Sequence, residues 1–325
     1  IETIYWGGGT PSQLDKEDFE TIFYYLHKNY SISSHPEITL EANPDDLTPD
    51  YIAMLRTLPF NRLSMGIQTF NESILKVLQR RHRARQPIEA FKNCRAAGFQ
   101  NISIDLMYGL PGETLSTWQQ DLDQALLLHP EHLSAYHLIY EEDTVLWKLR
   151  EQHKVEEADE DLSVSLFSTL IDRLTSEGYD HYEISNFSLP GLYSRHNSSY
   201  WTEKKYLGRG PSAHSYNGFS RQWNVASLDT YIKGISAGTP VFEIEELDLY
   251  TRYNDFVITR IRTEWGMPLS KLRDEFGEKL YDYCLRMAAP HLKQGTLELV
   301  NDILKLTRKG IFISDGIMSD MLWTD

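Results

Sequence analysis

The sequence of 325 residues contains little cysteine, and its two thiols are isolated from one another. Cys94 and Cys284 lie far apart, and neither belongs to a Cys-x-x-Cys pair or a Cys/His cluster. Two ordinary buried thiols of a protein in a reducing compartment are the simplest interpretation, so we expect a cytoplasmic location. Neither cysteine can hold an iron–sulfur cluster by itself, because such clusters need several thiolates.

Positive charge and long apolar segments are also scarce. The chain has 32 lysines and arginines against 47 aspartates and glutamates, a formal net charge of −15. This balance argues against wholesale binding to nucleic acid or anionic lipid, although a local basic patch stays compatible with it. No apolar run approaches the roughly 18 residues that are needed to cross a bilayer. With 41% hydrophobic and 24% charged residues, the composition is that of a globular protein.

Glycine, by contrast, is concentrated near the first residues. The apolar β-type run Glu2–Trp6 leads directly into Gly7-Gly8-Gly9, and a small polar turn follows. Three successive glycines indicate a backbone that must bend sharply or admit a ligand closely. Such a loop after a strand can present bare N–H groups to an anion or an amino acid.

Strand-like and helix-like patterns alternate as far as residue 184, which is typical of βαβ units. Six strands are predicted, at Glu2–Trp6, Glu37–Glu41, Arg62–Gln68, Asn101–Tyr108, Leu133–Tyr140 and Tyr179–Ile184. Amphipathic helices are predicted at Lys16–Tyr30, from Thr48, at Thr114–Leu128 and at Asp159–Glu177. Parallel strands joined by right-handed crossovers form either an open sheet or a partly closed barrel, and the pattern alone leaves both open.

Polar and glycine-rich residues follow the carboxyl ends of four successive predicted strands. They are Gly7–Thr10, Glu41–Pro44, Gln68, and Asp105 together with Gly109–Gly112. Folds of the α/β class bind their ligands at this edge of the sheet. One such segment would be read as a turn, but four in succession indicate a shared site.

The pattern changes beyond about residue 190. Residues 191–240 are rich in turns and aromatic side chains, and the rest predicts helices near 248–264, 268–276 and 278–293, a hairpin at Thr296–Thr307 and a last helix from Ser314. After residue 240 there are 11 Lys/Arg and 15 Asp/Glu, which argues against DNA binding. We therefore expect three regions, 1–190, 191–240 and 241–325, the last being a structural or partner-docking module.

Four motifs together carry a family resemblance. They are Tyr5-Trp6-Gly7-Gly8-Gly9-Thr10-Pro11-Ser12, Glu41-Ala42-Asn43-Pro44, Ser64-Met65-Gly66-Ile67-Gln68-Thr69-Phe70 and Ile104-Asp105-Leu106-Met107-Tyr108-Gly109-Leu110-Pro111-Gly112. In this order they resemble the radical S-adenosylmethionine (SAM) proteins of the oxygen-independent coproporphyrinogen III oxidase group, over nearly the whole chain. The resemblance implies an α/β fold: a partial (β/α)6 barrel with SAM across its open top, then a small, mainly helical, winged-helix-like carboxyl-terminal domain.

The resemblance also implies which residues meet SAM. They would be Gly8, Gly9, Thr10, Glu41, Gln68, Arg80 and Asp105. The glycines and the threonine would approach the methionine moiety, and the glutamate would accept hydrogen bonds from ligand hydroxyls. The glutamine and the arginine would hold the polar end, where a guanidinium fork suits a carboxylate, and the aspartate would close the site. The neighbouring run Arg81, His82, Arg83 and Arg85 is interpreted mainly as a solvated helix end.

Two functional branches exist within the group, and one segment distinguishes them. His196-Asn197-Ser198-Ser199-Tyr200-Trp201 matches the His-Asn-x-x-Tyr-Trp motif of the haem chaperone branch. An imidazole can ligate iron while flat aromatic rings pack against a porphyrin, so His196, Tyr200 and Trp201 are candidate haem contacts. Without the family context, a histidine beside aromatics in a turn would be read as a packed surface residue.

The group holds a [4Fe–4S] cluster on a Cys-x-x-x-Cys-x-x-Cys loop after the first barrel strand, and no residue of this chain replaces that loop. We expect the loop upstream of Ile1, together with the first strand and helix. On this interpretation the first visible strand is the second of the family barrel. The chain as written is then expected neither to coordinate the cluster nor to cleave SAM reductively.

The leading hypothesis is a haem-trafficking protein on a radical SAM scaffold, which binds haem and SAM and delivers haem to acceptor proteins. The alternative is the oxidase itself, which decarboxylates coproporphyrinogen III; a cofactor-free barrel used as an interaction module is a third interpretation. The expected partners are haem or a porphyrin and a haem-accepting protein, with no nucleic acid. A homodimer stays open, and membrane association is expected only through an acceptor.

Overall fold

The computed structural model describes residues 1–324, which form two compact units. The first comprises Ile1–His196 and the second begins at Asn197. Within the described residues, no helix combines the length and the apolarity that crossing a membrane requires.

A seven-stranded sheet forms the centre of the first unit. Its strands are β1 Thr3–Trp6, β2 Glu37–Ala42, β3 Arg62–Gln68, β4 Ile102–Tyr108, β5 His132–His137, β6 Asp180–Glu183 and β7 Asn186–Ser188. Strands β1 to β5 are parallel and lie in chain order, and the sheet curls into a half barrel. The prediction of a partial parallel barrel is thereby confirmed for five of the six predicted strands.

The sixth predicted strand does not occupy the expected place. β7, which the sequence did not predict, pairs antiparallel with β5, and β6 lies outside it at the sheet edge. β6 and β7 form a tight hairpin across residues 184 and 185, so no helix separates them. The strand predicted at Leu133–Tyr140 also ends earlier, at His137.

Seven helices of the first unit connect the strands. They are α1 Lys16–Asn29, α2 Pro49–Leu55, α3 Glu72–Val77, α4 Gln86–Ala96, α5 Leu115–Leu127, α6 Val145–Glu151 and α7 Glu160–Ser176. Side-chain caps fix several of their starts: the Asp15 carboxylate accepts from the Asp18 N–H, and Thr48 precedes a proline at the first position of α2. These local signals explain why the helix predictions agree with the structure to within a residue or two at most ends.

The two faces of the sheet differ in chemistry. Alternate side chains such as Leu40, Leu63 and Ile104 are fully buried on the apolar face, where Trp6 packs against Phe19 of α1 with ring centroids 5.0 Å apart. The other face carries polar side chains on every strand from β1 to β5 and on β7. We call this second surface the inner face; its residues include Thr3, Tyr5, Glu37, Thr39, Glu41, Arg62, Ser64, Gly66, Ser103, Asp105, His132, Ser134, Tyr136, Asn186 and Ser188.

Helix α8, Arg195–Trp201, spans the boundary between the units, and the second unit continues with strands and helices. They are β8 His214–Tyr216, β9 Ser220–Asn224, α9 Leu228–Ser236, β10 Phe242–Glu246, α10 Leu249–Ile261, β11 Met267–Pro268, α11 Leu269–Gln294, β12 Leu297–Val300, β13 Ile303–Leu306, α12 Arg308–Ile311 and α13 Ser314–Met321. β8, β9 and β10 form one antiparallel sheet, and β11, β13 and β12 another. The predicted hairpin is confirmed as β12 and β13. The predicted break between two helices is confirmed at Gly277, where α11 is non-helical (φ 80°, ψ 170°).

Candidate functional site

The glycine loop turns sharply away from the end of β1. Gly8 and Gly9 have φ values of 76° and 60°, in the left-handed region that glycine tolerates, and a Cβ at either would meet nothing within 4 Å. Gly7 is needed for a different reason, since its Cβ would lie 2.7 Å from Cε1 of Tyr5. Thr10 is exposed at the start of the 3₁₀ turn Pro11–Gln13. The loop therefore leaves open space beside Gly8 and Gly9.

Glu41 connects this loop to the inner face. The Gly8 N–H donates to its Oε2 (3.2 Å) and the Tyr5 hydroxyl donates to its Oε1 (2.7 Å). Burial and the negative charge of Glu41 both raise the pKa of Tyr5, so the phenol stays protonated and remains a donor. Both carboxylate oxygens of Glu41 are thus held in place at the carboxyl end of β2.

Asp105 lies inside β4, and not at its end as the sequence predicted. Its register partners are Gly66 and Ser134 on the neighbouring strands, and the Ser64 hydroxyl lies 3.2 and 3.3 Å from its two carboxylate oxygens. Burial, aided by the charge of Glu41, raises the pKa of Asp105 to about 6. The carboxyl group can therefore exchange a proton close to neutral pH.

Gln68 and Arg80 meet above Gly66. A Cβ on Gly66 would lie 3.1 Å from Gln68 Nε2, which would have to shift slightly, and 3.6 Å from Arg80 Nη2, an ordinary contact. Gln68 itself has a φ of 71° beside a bulge at the end of β3. Arg80 Nη2 donates to Asn43 Oδ1 (2.8 Å) and to the Gly66 carbonyl (3.1 Å), while its buried Nε has no hydrogen-bond partner within residues 1–324.

A small cavity of about 130 Å³ adjoins these groups. It is lined by Asn43, Asp45, Leu78, Gln79, Arg80, Arg81 and His82. Burial lowers the pKa of both Arg80 and His82. The interpretation of residues 81–85 as a solvated helix end is correct in that the three arginines are exposed, but it is wrong for His82, which is buried with Nε2 3.1 Å from the Ile67 carbonyl.

His196 packs on the inner face at the edge of the sheet that β1 forms. Its Nδ1 is 2.9 Å from Thr3 Oγ1, its ring stacks on Tyr5 with centroids 4.7 Å apart, and its backbone N–H donates to Glu37 (2.9 Å). Burial, with the nearby charge of Arg62, lowers the pKa of His196 to about 4. The imidazole is therefore neutral at physiological pH, which is the form that ligates metals.

The other two candidate haem contacts belong to the second unit. Tyr200 packs edge-on against Tyr206 with centroids 4.8 Å apart, and the Arg262 guanidinium lies 4.2 Å above the ring of Trp201. The buried Trp201 Nε1 has no hydrogen-bond partner in the part of the chain that the structure describes. His196 and Tyr200 are four positions apart in α8.

Sequence reasoning missed the buried floor of the inner face, which we define as the residues at its amino-terminal end. Arg62, Thr39 and His132 are almost completely buried there. His132 is held by Ser103 at Nδ1 (2.8 Å) and by the Tyr182 hydroxyl at Nε2 (2.6 Å). The available signal was the strict polar–apolar alternation of β2 and β3, which predicts a polar face without showing that the face is buried.

Of the implied cofactors SAM and the [4Fe–4S] cluster, the residues present fit SAM. Open space beside Gly8 and Gly9, the carboxylate of Glu41 and the unsatisfied Nε of Arg80 are suited to the charged and hydroxyl groups of SAM. They do not fit an iron–sulfur cluster, because Cys94 and Cys284 are buried, lie in different units and have a thiol pKa raised by burial to about 12. Residues 1–324 contain no group of three metal-ligating side chains.

Comparison with known proteins identifies the family. Residues 1–125 match the Radical SAM superfamily, and residues 247–313 match the HemN C-terminal domain. The heme chaperone HemW of Lactococcus lactis is 32% identical over all of this chain and 86% of its own length. HemW of Bacillus subtilis is 30% identical over 99% of this chain and 86% of its own length. The chain belongs to the HemW family of radical SAM proteins.

A solved structure supports the fold of this HemW-family chain. The coproporphyrinogen III oxidase HemN of Escherichia coli, a radical SAM enzyme, superimposes with a TM-score of 0.85 over 99% of this chain and 77% of that protein. The identity is 23%, so the likeness shows a shared fold and carries no argument about activity. The winged-helix-like region accordingly corresponds to the HemN carboxyl-terminal domain.

Proposed function

We propose that this HemW-family protein binds haem through His196, binds SAM at the rim of the half barrel, and delivers haem to acceptor proteins. The rim comprises Gly8, Gly9, Thr10, Glu41 and Gln68 at or just beyond the carboxyl ends of the inner-face strands, together with Arg80, which contacts Gly66, and Asp105 inside β4. The names of the curated relatives support the role at the level of the family. Two unpaired buried cysteines are consistent with a cytoplasmic location.

The state of His196 is the observation that carries the haem proposal. Thr3 engages Nδ1, Tyr5 supports the ring face, and burial keeps the imidazole uncharged. A neutral imidazole ligates iron through a ring nitrogen, so His196 would be the iron ligand. Because the backbone N–H of His196 also donates to Glu37, the ring is oriented before a ligand arrives.

Tyr200 and Trp201 would supply flat aromatic surface to the porphyrin. Both side chains already pack against other groups of the second unit, which limits the rotamer freedom that binding would cost. SAM, when bound at the rim, is the source of radical chemistry in this superfamily. The cysteines of residues 1–324 supply no cluster for reducing it, so we assign no radical step to these residues.

The test is a haem titration of the full chain followed by absorbance. We expect a red-shifted Soret band in the wild-type protein and its loss in His196→Ala. His27→Ala, an exposed histidine of α1, is the matched control and should bind as the wild type does. An unchanged Soret band and affinity in His196→Ala would contradict the proposal.

Delivery is tested separately by mixing the haem-loaded chain with a haem-free haemoprotein. The acceptor's own spectrum should appear, and the chain's spectrum should decay at the same rate. Turnover of coproporphyrinogen by the same preparation under reducing, anaerobic conditions would instead establish the oxidase alternative.

A further inference from the structure

One buried guanidinium on the floor of the inner face is incompletely satisfied within residues 1–324. Arg62 is the first residue of β3, stands opposite Thr39 in the register and is 1% exposed. Its Nε is buried and has no hydrogen-bond partner within residues 1–324. An arginine has five donors and stays charged, so this burial is unfavourable unless something compensates it.

The carboxylates of the inner face are already engaged elsewhere. Glu37 accepts from the backbone N–H groups of Arg195 (3.0 Å) and His196 (2.9 Å), and Glu41 accepts from Tyr5 and Gly8. Asp105 is hydrogen-bonded by Ser64. The charge of Arg62 lowers the pKa of His132 and of His196, and it partly offsets the burial that raises the pKa of Asp105.

Unsatisfied hydroxyls lie on the same floor. Thr39 Oγ1 faces the same side of the sheet as Arg62 on the adjacent strand, is fully buried and has no hydrogen-bond partner in the described chain. Ser188 Oγ on β7 is also fully buried and has no hydrogen-bond partner among the described residues. A guanidinium beside a hydroxyl donor matches a carboxylate, because two parallel N–H donors meet its two oxygens.

We propose that Arg62 and Thr39 form a binding site for a carboxylate of the ligand that enters the half barrel, a porphyrin propionate being the source we favour. The choice of propionate rests on the proposed haem function. His196 contacts Thr3 and Tyr5 on β1, and Arg62 lies two strands away on the same face, so one tetrapyrrole could place its iron at the histidine and a propionate at the arginine. The carboxylate of SAM and a free carboxylate are the other sources of the same chemistry.

The experiment compares Arg62→Met with the wild-type chain by thermal unfolding and by ligand titration. Methionine keeps the length of the side chain and removes its charge. Arg56→Met, an exposed arginine after α2, is the matched control. The probes are haem, haem dimethyl ester, SAM and millimolar propionate, used separately. Without ligand, Arg62→Met should unfold at the same temperature as the wild type or higher, because an incompletely satisfied buried charge has been removed.

With ligand, wild type should bind haem at least tenfold more tightly than the dimethyl ester, and Arg62→Met should bind both alike. Propionate alone should raise the unfolding temperature of the wild type and of Arg56→Met but not of Arg62→Met, a result that stands even if the haem proposal fails. A tenfold loss confined to SAM would support the carboxylate site and assign it to SAM. Destabilisation of ligand-free Arg62→Met by several degrees, with all four probes binding as they do to wild type, would overturn the proposal.

Discussion

The rim and the floor of the inner face are built from similar residues but satisfy them differently. At the rim, Glu41 has a donor for each oxygen, and Arg80 is bound to Asn43 and to a carbonyl. On the floor, Arg62 Nε and Thr39 Oγ1 have no hydrogen-bond partner within residues 1–324, and burial keeps two histidines neutral. The rim is thus preorganised by its own contacts, whereas the floor carries an unfavourable charge that a ligand could compensate.

The largest expected effect is at the rim. Glu41→Ala removes the acceptor for both Tyr5 and Gly8 as well as the proposed contact to ligand hydroxyls. Hydrogen bonds to a charged group are worth about 1.5–3 kcal/mol, so SAM affinity should fall about 100-fold. Isothermal titration calorimetry measures this, with the exposed Glu17→Ala as control. SAM affinity within twofold of wild type would show that the rim is not the SAM site.

The next effect concerns the stability of the floor. Tyr182→Phe leaves His132 Nε2 without its 2.6 Å partner in a fully buried position. We expect a loss of about 1–3 kcal/mol in the free energy of unfolding by urea, because a buried polar atom becomes unsatisfied. Tyr25→Phe, at an exposed ring of α1, should change it by less than about 0.5 kcal/mol. Equal stabilities of the two variants would mean that the floor is hydrated and polar.

The third prediction concerns how the Asp105 carboxyl makes the free energy of unfolding depend on pH. Its pKa in the folded chain is about 6, above the ordinary value of 3.8. Between pH 3.8 and 6 the folded chain therefore keeps a proton on Asp105 that the unfolded chain has released. Stability therefore falls as pH rises through this window and stays lower above it. Asp105→Asn should be more stable than wild type by about 2–3 kcal/mol at pH 7, and the difference should shrink to about 0.5 kcal/mol near pH 4.

Urea unfolding at several pH values measures this difference in stability. The buried carboxyls of Glu113 and Asp121 also have a raised pKa, but their contributions to the pH dependence cancel because wild type and variant both contain them. Glu142→Gln, in an exposed loop, is the control that should show no such trend. A constant difference from pH 4 to pH 7 would contradict the raised pKa.

The smallest effect tests whether rim and floor act independently. Tyr5 donates its hydroxyl to Glu41 at the rim and stacks its ring on His196. Tyr5→Phe keeps the stacking and removes one hydrogen bond, so SAM affinity should fall by about fivefold while haem affinity stays constant. A parallel loss of haem affinity would show that the two sites are coupled through this phenol.

Local signals in the sequence predicted much of the first unit. Apolar periodicity and caps located α1, α5 and α7, and apolar runs located β1 to β4 to within a residue or two. β7 has three residues and no distinguishing pattern, and its insertion beside β5 depends on pairing between distant segments. Such pairing is a tertiary property that periodicity does not contain.

The candidate site was predictable only in part, because local motifs identify some of its residues but not the packing of the others. The family resemblance selected Glu41, Gln68 and Arg80, and the structure brings Gln68 and Arg80 together over Gly66. The role of Tyr5 as the donor to Glu41 and the burial of Arg62 depend on the curling of the sheet. Alternation in β3 reports which side chains share a face, but it does not report whether that face is covered.

The central claim is that a tetrapyrrole enters the half barrel, with its iron at His196. The most direct measurement is a crystal structure of the haem-loaded full chain. The account predicts iron ligated by the imidazole of His196 and a propionate against the guanidinium of Arg62. Haem bound at another surface, with both side chains as they are in the ligand-free protein, would contradict it.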